Sequence, residues 1–402
     1  MTATSRSGLI KTTLLLTSTL TVMAGATISP SLPQIRAVFA DVEMADTLVK
    51  LVLTMPAAFI ALGAPFAGMV IDRFGRIRLL IASVLLYALA GTTGLYLDTL
   101  PTILAGRAFL GLAVAGIMTV CSTLVGDYFE GEERNSFMSQ QGAFMAAGGV
   151  VYVALGGWLA DLGWRVPFAL YGSALLFVPL ILFALYEPKV SNDSEQSGTE
   201  PPASGRPFLA SLVMVYSICV LGLAIFYMIP VQMPFLIKEV SDSGNWLIGV
   251  SIAGTMLFGA VGSILYKTLK RKLHYQHIYA VSFAVQAVGY ILIAMAGNYL
   301  QLIPGLLISG IGAGLLLPNA GLWLVNVSPV AIRGKVLGGM TTAVFAGQFL
   351  SPIILRPVIE ASSLQGSFLW VGIAMVFMPL LLVAIPLRWT SPQNDVPVAE
   401  PS

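Results

Sequence analysis

The chain reads as a succession of long apolar runs separated by short polar loops. Twelve such runs stand out, at about residues 12–34, 48–71, 78–97, 101–125, 136–158, 166–187, 208–231, 245–266, 275–297, 301–325, 336–357 and 367–388. Each holds about 20 to 25 residues, enough at 1.5 Å per residue to cross a hydrocarbon core of about 30 Å. A helix satisfies all its backbone hydrogen bonds within one segment. The pattern therefore predicts an all-α membrane protein of twelve transmembrane helices.

Composition points the same way. Of the 402 residues 57% are hydrophobic and only 10% charged, against roughly 25% charged in soluble domains. A formal charge of +2, with the arginines scattered over short loops, offers no basic face to nucleic acid. Cys121 and Cys219 both fall inside apolar runs without CxxC spacing, the pattern of packing residues rather than of a disulfide, a metal centre or thiol redox chemistry. No metal or cofactor is expected. Arg6, Lys11, Leu14–Leu16 and Ala24-Gly25-Ala26 imitate a cleavable leader. The apolar run continues to Pro33, however, so the segment is expected to remain as the first span.

Loop charges orient the spans. With the N-terminus inside, fifteen Lys/Arg are cytoplasmic: Arg6, Lys11, Arg73, Arg76, Arg78, Arg134, Lys189, Arg206, Lys267, Lys270, Arg271, Lys272, Arg333, Lys335 and Arg388. Five are outside (Arg36, Lys50, Arg165, Lys238, Arg356), and the last of the 21, Arg107, lies within a span. This asymmetry predicts a multi-pass protein with both termini cytoplasmic. A polar stretch containing Ser191-Asn192-Asp193-Ser194 and Gly198-Thr199-Glu200-Pro201-Pro202 has the composition of a flexible linker. The expected organisation is a six-helix half over 1–187, a cytoplasmic linker over 188–207, a second half over 208–390 and a tail over 391–402.

The halves are related in sequence, as parallel repeats of a transporter would be. Gly68-Met-Val-Ile-Asp72-Arg73-Phe74-Gly75-Arg76 aligns with Gly262-Ser-Ile-Leu-Tyr266-Lys267-Thr268-Leu269-Lys270. A second register pairs Gly106 with Gly305, Gly111 with Gly310, Asp127 with Asn326, Arg134 with Arg333 and Gly148 with Gly347.

The string Gly68-x-x-x-Asp72-Arg73-x-Gly75-Arg76 resembles the signature between helices two and three of the major facilitator superfamily. Its parts have a direct physical reading: Gly68 admits a close helix, Gly75 permits a tight turn, and Asp72 can sit against a helix N-terminus. The resemblance implies the major facilitator fold, two six-helix pseudo-repeats around a central site. It also implies a cytoplasmic latch in which Asp72 meets helix eleven near Gly334 and Arg73 pairs with Asp127, with Arg76 and Arg134 nearby.

Arg107 is the one charge well inside a span, and an ionised group there is a functional candidate by default. Ile103-x-x-x-Arg107-x-x-x-Gly111 is similar to a second pattern of the family, with Leu110 where glutamine is usual. In helix five, Tyr152 to Gly157 keeps the paired glycines of a pattern found in exporters but lacks its Gly-Pro; Pro352 stands at the repeat-equivalent place in helix eleven. Asp161-Leu-Gly-Trp-Arg-x-Pro-Phe168, with Gly25, Pro30 and Pro33 in helix one, resembles the bacterial drug and metabolite exporter branch of drug:proton antiporter type.

No Gly-x-x-x-x-Gly-Lys-Ser/Thr loop is present, which argues against direct ATP use. All nineteen acidic residues fall in loops, tails or at helix ends, so Asp72, Asp98, Asp127, Asp41, Glu43 and Asp46 are the nearest carriers for a coupling proton. His274 and His277 sit at the start of helix nine, a position ordinary for interfacial histidines. In the family, helices one, four, seven and ten face the central site. That implies substrate contacts from Thr27, Arg107, Phe226, Tyr227, Asn319 and Trp323, with Gln141 and Gln348 from helices five and eleven.

Aromatic rings, amides and one arginine suit a small amphipathic or anionic ligand. The expected function is thus secondary transport, first as an efflux protein of the inner (plasma) membrane, monomeric and with the bilayer, a small substrate and protons as its partners. A nutrient importer of the same fold is the alternative, a siderophore-specific exporter a narrower one. An intramembrane enzyme would show paired carboxylates or His-Glu clusters within the spans, and a sensor would carry a soluble output domain; the sequence has neither.

Overall fold

The computed structural model describes residues 3–188 and 206–384, with the side chains of residues 3–7, Asp72, 206–207, 331 and 381–384 outside the described set. The linker over 189–205, the end of the twelfth predicted span and the tail over 391–402 also lie outside it. The membrane helices are α1 Gly8–Val38, α2 Ala45–Ile71, α3 Arg76–Leu95, α4 Leu100–Tyr128, α5 Gly131–Leu162, α6 Val166–Ala184, α7 Phe208–Val240, α8 Asn245–Lys270, α9 Tyr275–Ala294, α10 Tyr299–Val327 and α11 Arg333–Ala361. α12, Leu364–Ala384, completes the twelve.

Two apolar cores define two halves. One gathers α1 to α6 around residues such as Leu14, Val52, Val84, Val114, Phe137 and Phe168. The other gathers α7 to α12 around Ile218, Phe283, Leu306, Trp323 and Phe368. Among the described residues a few side chains cross over: Val231 is buried in the first core, with Tyr227, Phe235 and Phe345 packed against it, and Ala26 and Val153 are buried in the second.

Three helices are broken near their middles. α1 is helical over Ala3–Ala26, turns through Ser29–Ser31 and resumes over Leu32–Val38. α7 breaks at Tyr227, between Arg206–Phe226 and Met228–Val240. α10 breaks at Leu315, between Tyr299–Gly314 and Leu316–Val327. Pro30 and Pro230 follow the first two breaks by the same interval, the repeat made visible in the backbone.

A proline cannot donate to the carbonyl four residues before it, and in lipid that carbonyl needs another donor. The structure supplies one in three cases. Pro56 leaves the Val52 carbonyl, which accepts from Arg107 Nε at 2.9 Å. Pro318 leaves Gly314, which accepts from Ser263 Oγ at 2.8 Å. Pro234 leaves Pro230, which accepts from Ser29 Oγ across the junction of the halves.

Candidate functional site

The two ends of the bundle differ. Lys11–Glu133 (2.7 Å) and Arg76–Asp127 (3.1 Å) pair within the first half at the end where the linker attaches, here called the linker end. At this end a side chain on Gly68, Gly142, Gly334 or Gly338 would meet no atom within 4 Å. The halves are joined instead at the far end. There Ser29 bonds the Pro230 carbonyl, Lys50 lies 5.5 Å from the Phe235 ring, and α5 clasps the start of α8. The molecule is closed at the far end and parted at the linker end.

Between the halves lies a cavity of about 260 Å³ lined by Val22 of α1, Met145 and Ala146 of α5, Leu223 and Phe226 of α7, Met256, Gly259 and Ser263 of α8, and Ala313, Gly314, Leu316 and Leu317 of α10. Three of its walls are the broken helices. The lining is apolar except for the Ser263 hydroxyl, which is spent on the Gly314 carbonyl. Flexible methionines and one aromatic ring make a wall that adapts to varied apolar shapes.

Of the expected ligand contacts, Phe226 lines this cavity. Tyr227 follows it at the break, its hydroxyl 3.0 Å from where a side chain on Gly25 would begin. Gln141 lies one turn before Met145 and donates to Ser18 Oγ at 2.7 Å. Thr27 is buried with its hydroxyl on the Met23 carbonyl, and its own carbonyl packs against Gly156 of α5. Asn319 is buried on the Tyr275 carbonyl at 2.9 Å, and Trp323 is stacked on Tyr275 and tilted against Tyr279 inside the second half. Gln348 is half-buried on α11, outside the lining. Expectation and geometry part at Asn319 and Trp323 because α10 turns that face toward α9 after its break.

Arg107 is also interior rather than cavity-facing. It is wholly buried, with Nε on the Val52 carbonyl of α2, Nη2 on the Ala24 carbonyl of α1 at 2.9 Å, and its guanidinium 5.0 Å from the Tyr171 ring of α6. Val52 lost its donor to Pro56, and Ala24 is among the last four residues of its helical segment, whose carbonyls lack intrahelical partners. This buried charge is thus a clasp on two orphaned carbonyls, with Nη1 left over. Its planar fork explains why arginine serves there.

The latch residues are likewise rearranged. Asp127 pairs with Arg76, not with Arg73, whose guanidinium lies 5.5 Å from the Phe74 ring. Arg76 follows Gly75, which at φ 85° swings the chain into α3. Arg134 Nη2 lies 3.7 Å from where a side chain on Gly126 would begin. Glu187 takes a place the sequence did not suggest: its carboxylate accepts the Arg76 and Ile77 N–H at 2.7 and 3.0 Å, capping the start of α3 from the end of α6. The other residues missed are those that line the cavity beside Phe226, on α1, α5, α7, α8 and α10. Within apolar helices they carry no signal beyond position.

The model of the Major Facilitator Superfamily matches residues 14–277, and that of Sugar (and other) transporters matches 207–393. The chain is 25% identical to the cis,cis-muconate transport protein of Acinetobacter baylyi over 334 residues, covering 79% of this chain and 80% of the relative. It is 26% identical to the 3-(3-hydroxy-phenyl)propionate transporter of Escherichia coli over 336 residues, covering 80% and 79%. It is 23% identical to the class H tetracycline resistance protein of Pasteurella multocida over 370 residues, covering 89% and 91%. Among solved structures, the inward-open xylose transporter of E. coli superposes with a TM-score of 0.74 at 15% identity, covering 93% of this chain and 95% of that one.

Proposed function

The chain belongs to the major facilitator superfamily, and from that premise we propose that it exports small, predominantly apolar molecules across the inner membrane by alternating access, with protons as the driving ion. The observation that carries this reading is the cavity, placed between the halves, walled by the broken helices and lined by methionine, leucine, valine and phenylalanine without a charged group. An ionised substrate there would be buried without a counter-charge, at a cost of several kcal/mol. A neutral or weakly polar molecule meets no such penalty. The charge asymmetry of the loops supports a cytoplasmic linker end, so the described state is open inward, ready to load cargo from the cytoplasm or the inner leaflet.

The muconate and hydroxyphenylpropionate relatives favour a second reading, import of an unsaturated or aromatic acid. The two separate in one experiment. Everted vesicles and intact cells expressing the protein are each given a neutral fluorescent dye and radiolabelled 3-phenylpropionate. Export of apolar cargo predicts energy-dependent dye accumulation in everted vesicles that Phe226→Ala diminishes; phenylpropionate accumulation in intact cells, with no dye signal, would replace it by the second reading.

A further inference from the structure

The far end carries a string built on the same plan as Gly68 to Arg76. Gly157-Trp-Leu-Ala-Asp161-Leu-Gly163-Trp-Arg165 repeats its glycine, its aspartate four residues on and its arginine eight residues on, with the closing glycine one position earlier. Both closing glycines have positive φ, 85° at Gly75 and 149° at Gly163. α2 and α5 are the middle helices of the two three-helix units of the first half. Units so nested are related by inverted topology, which sets one copy at the linker end and the other at the far end.

We propose that Asp161 is a far-end latch, engaged on the N-terminus of α8 in the present state and released when the far end opens. The contact is reciprocal. Asp161 Oδ1 accepts the Asn245 N–H at 2.6 Å and Oδ2 the Trp246 N–H at 3.1 Å, two donors that α8 cannot satisfy itself. Asn245 Nδ2 in turn donates to the Ala160 carbonyl at the end of α5 at 3.0 Å. Glycines bring the backbones together: a side chain on Gly157 would begin 2.7 Å from the Asn245 carbonyl oxygen and 2.9 Å from Gly249 Cα. The neighbouring cation, Arg165, is occupied by Asp98 and the Gly94 and Leu97 carbonyls, leaving the Asp161 carboxylate to α8.

The two copies are in opposite conditions. Gly157 is pressed against α8, whereas a side chain on Gly68 would meet nothing within 4 Å. One string is engaged while the other stands clear, as a pair working in alternation requires. Every group in the far-end clasp lies at a helix end, where water can replace its partner when the halves part. That makes the clasp a switch rather than a permanent tie. The inference rests on the alternating-access reading but not on any particular cargo.

The test measures access to both ends without substrate. Ser31 is buried at the far-end junction and Gly338 faces open space at the linker end, so Ser31→Cys and Gly338→Cys are labelled separately with a water-soluble maleimide. Asp161→Asn should raise labelling at position 31 at least about threefold and lower it at position 338, a shift of population between two states. Asp161→Glu should restore the parent rates in part. Asn245→Ala, approaching the clasp from α8, should move both rates in the same directions and serves if the first variant fails to insert. A rise at both positions would mean simple loosening and would overturn the proposal, as would unchanged rates. Because labelling needs no cargo, opposed shifts in a protein that transports nothing would sink the transport reading and leave the latch standing.

Discussion

Replacing Arg107 tests whether the charge buried in the first half is a clasp or a ligand contact. In Arg107→Ala the Val52 and Ala24 carbonyls lose their donors, at about 1–3 kcal/mol each for a buried unsatisfied group. Removing the cation returns about 2.5–3.5 kcal/mol on insertion scales. The balance runs from a net gain of about 1.5 kcal/mol to a net loss of about 3.5 kcal/mol, with a loss of about 1 kcal/mol at its centre. Arg107→Lys keeps the charge and reaches one carbonyl at most, so it should be no more stable than the alanine variant. Arg107→Gln, a neutral donor, should be the mildest. Pro56→Ala sharpens the test by giving Val52 an N–H from its own helix, which makes the Arg107 Nε bond redundant. In that background Arg107→Ala should cost about 1 kcal/mol less than in the parent, a coupling energy that a double-mutant cycle reads directly. Cys121 and Cys219 are buried, so thermal unfolding in detergent can be followed with a thiol-reactive dye. A lysine variant as stable as the parent, or no coupling to Pro56, would refute the clasp.

Phe226→Ala and Met256→Ala should each weaken cargo binding several-fold while leaving the unfolding temperature within about 2–4 °C of the parent, roughly 1 kcal/mol; binding titration and dye-monitored melting check the two halves of the statement. Glu187→Gln should weaken the cap of α3 by about 0.5–2 kcal/mol, read as a lower melting temperature, and Glu187→Ala should do no better. Gly249→Val would press into Val153 and Gly157, whose atoms already lie 2.8 and 2.9 Å from the first side-chain carbon. It should therefore prevent far-end closure and raise maleimide access there without help from any change at Asp161. Reporter fusions at Ser402 and within 190–205 should both read cytoplasmic, and a periplasmic signal from either would reverse the orientation.

The apolar runs made the twelve spans legible because lipid imposes the same length and composition on every crossing segment. The breaks were less legible. Pro30, Pro230 and Pro318 were visible, but a proline says only that a carbonyl loses its donor, not which distant side chain will replace it. Arg107 illustrates the difference. Its charge marked it as unusual, while its partners depended on Pro56 in another helix and on where α1 stops. Trp323 and Asn319 looked like ligand contacts because polar and aromatic groups draw attention; their partner Tyr275 lies more than forty residues away in α9. Met145 and Met256 went unnoticed for the opposite reason, since a methionine in an apolar helix looks the same facing cavity, core or lipid.

The broken helices also tie the cavity to the closed end. α1, α7 and α10 line the cavity at Val22, Leu223, Phe226 and Leu316, and the segments beyond the breaks of α1 and α7 form the far-end junction through Ser29 and Pro230. The carbonyls exposed at the α7 break are taken by Ser351 of α11 and Tyr290 of α9, at 2.6 Å each. Those bonds stay within the second half, so they can persist while the halves move. The Ser29 bond cannot, because it spans the halves. Cargo pressing on Phe226 therefore acts next to the hinge-like turn at Tyr227, whose continuation carries the bond that must break for the far end to open. On this geometry Ser29→Ala should ease far-end opening, whereas Ser351→Ala should lower the melting temperature and leave the labelling ratio of the two ends unchanged. A shift in that ratio from Ser351→Ala would show that the α7 break is itself part of the moving joint.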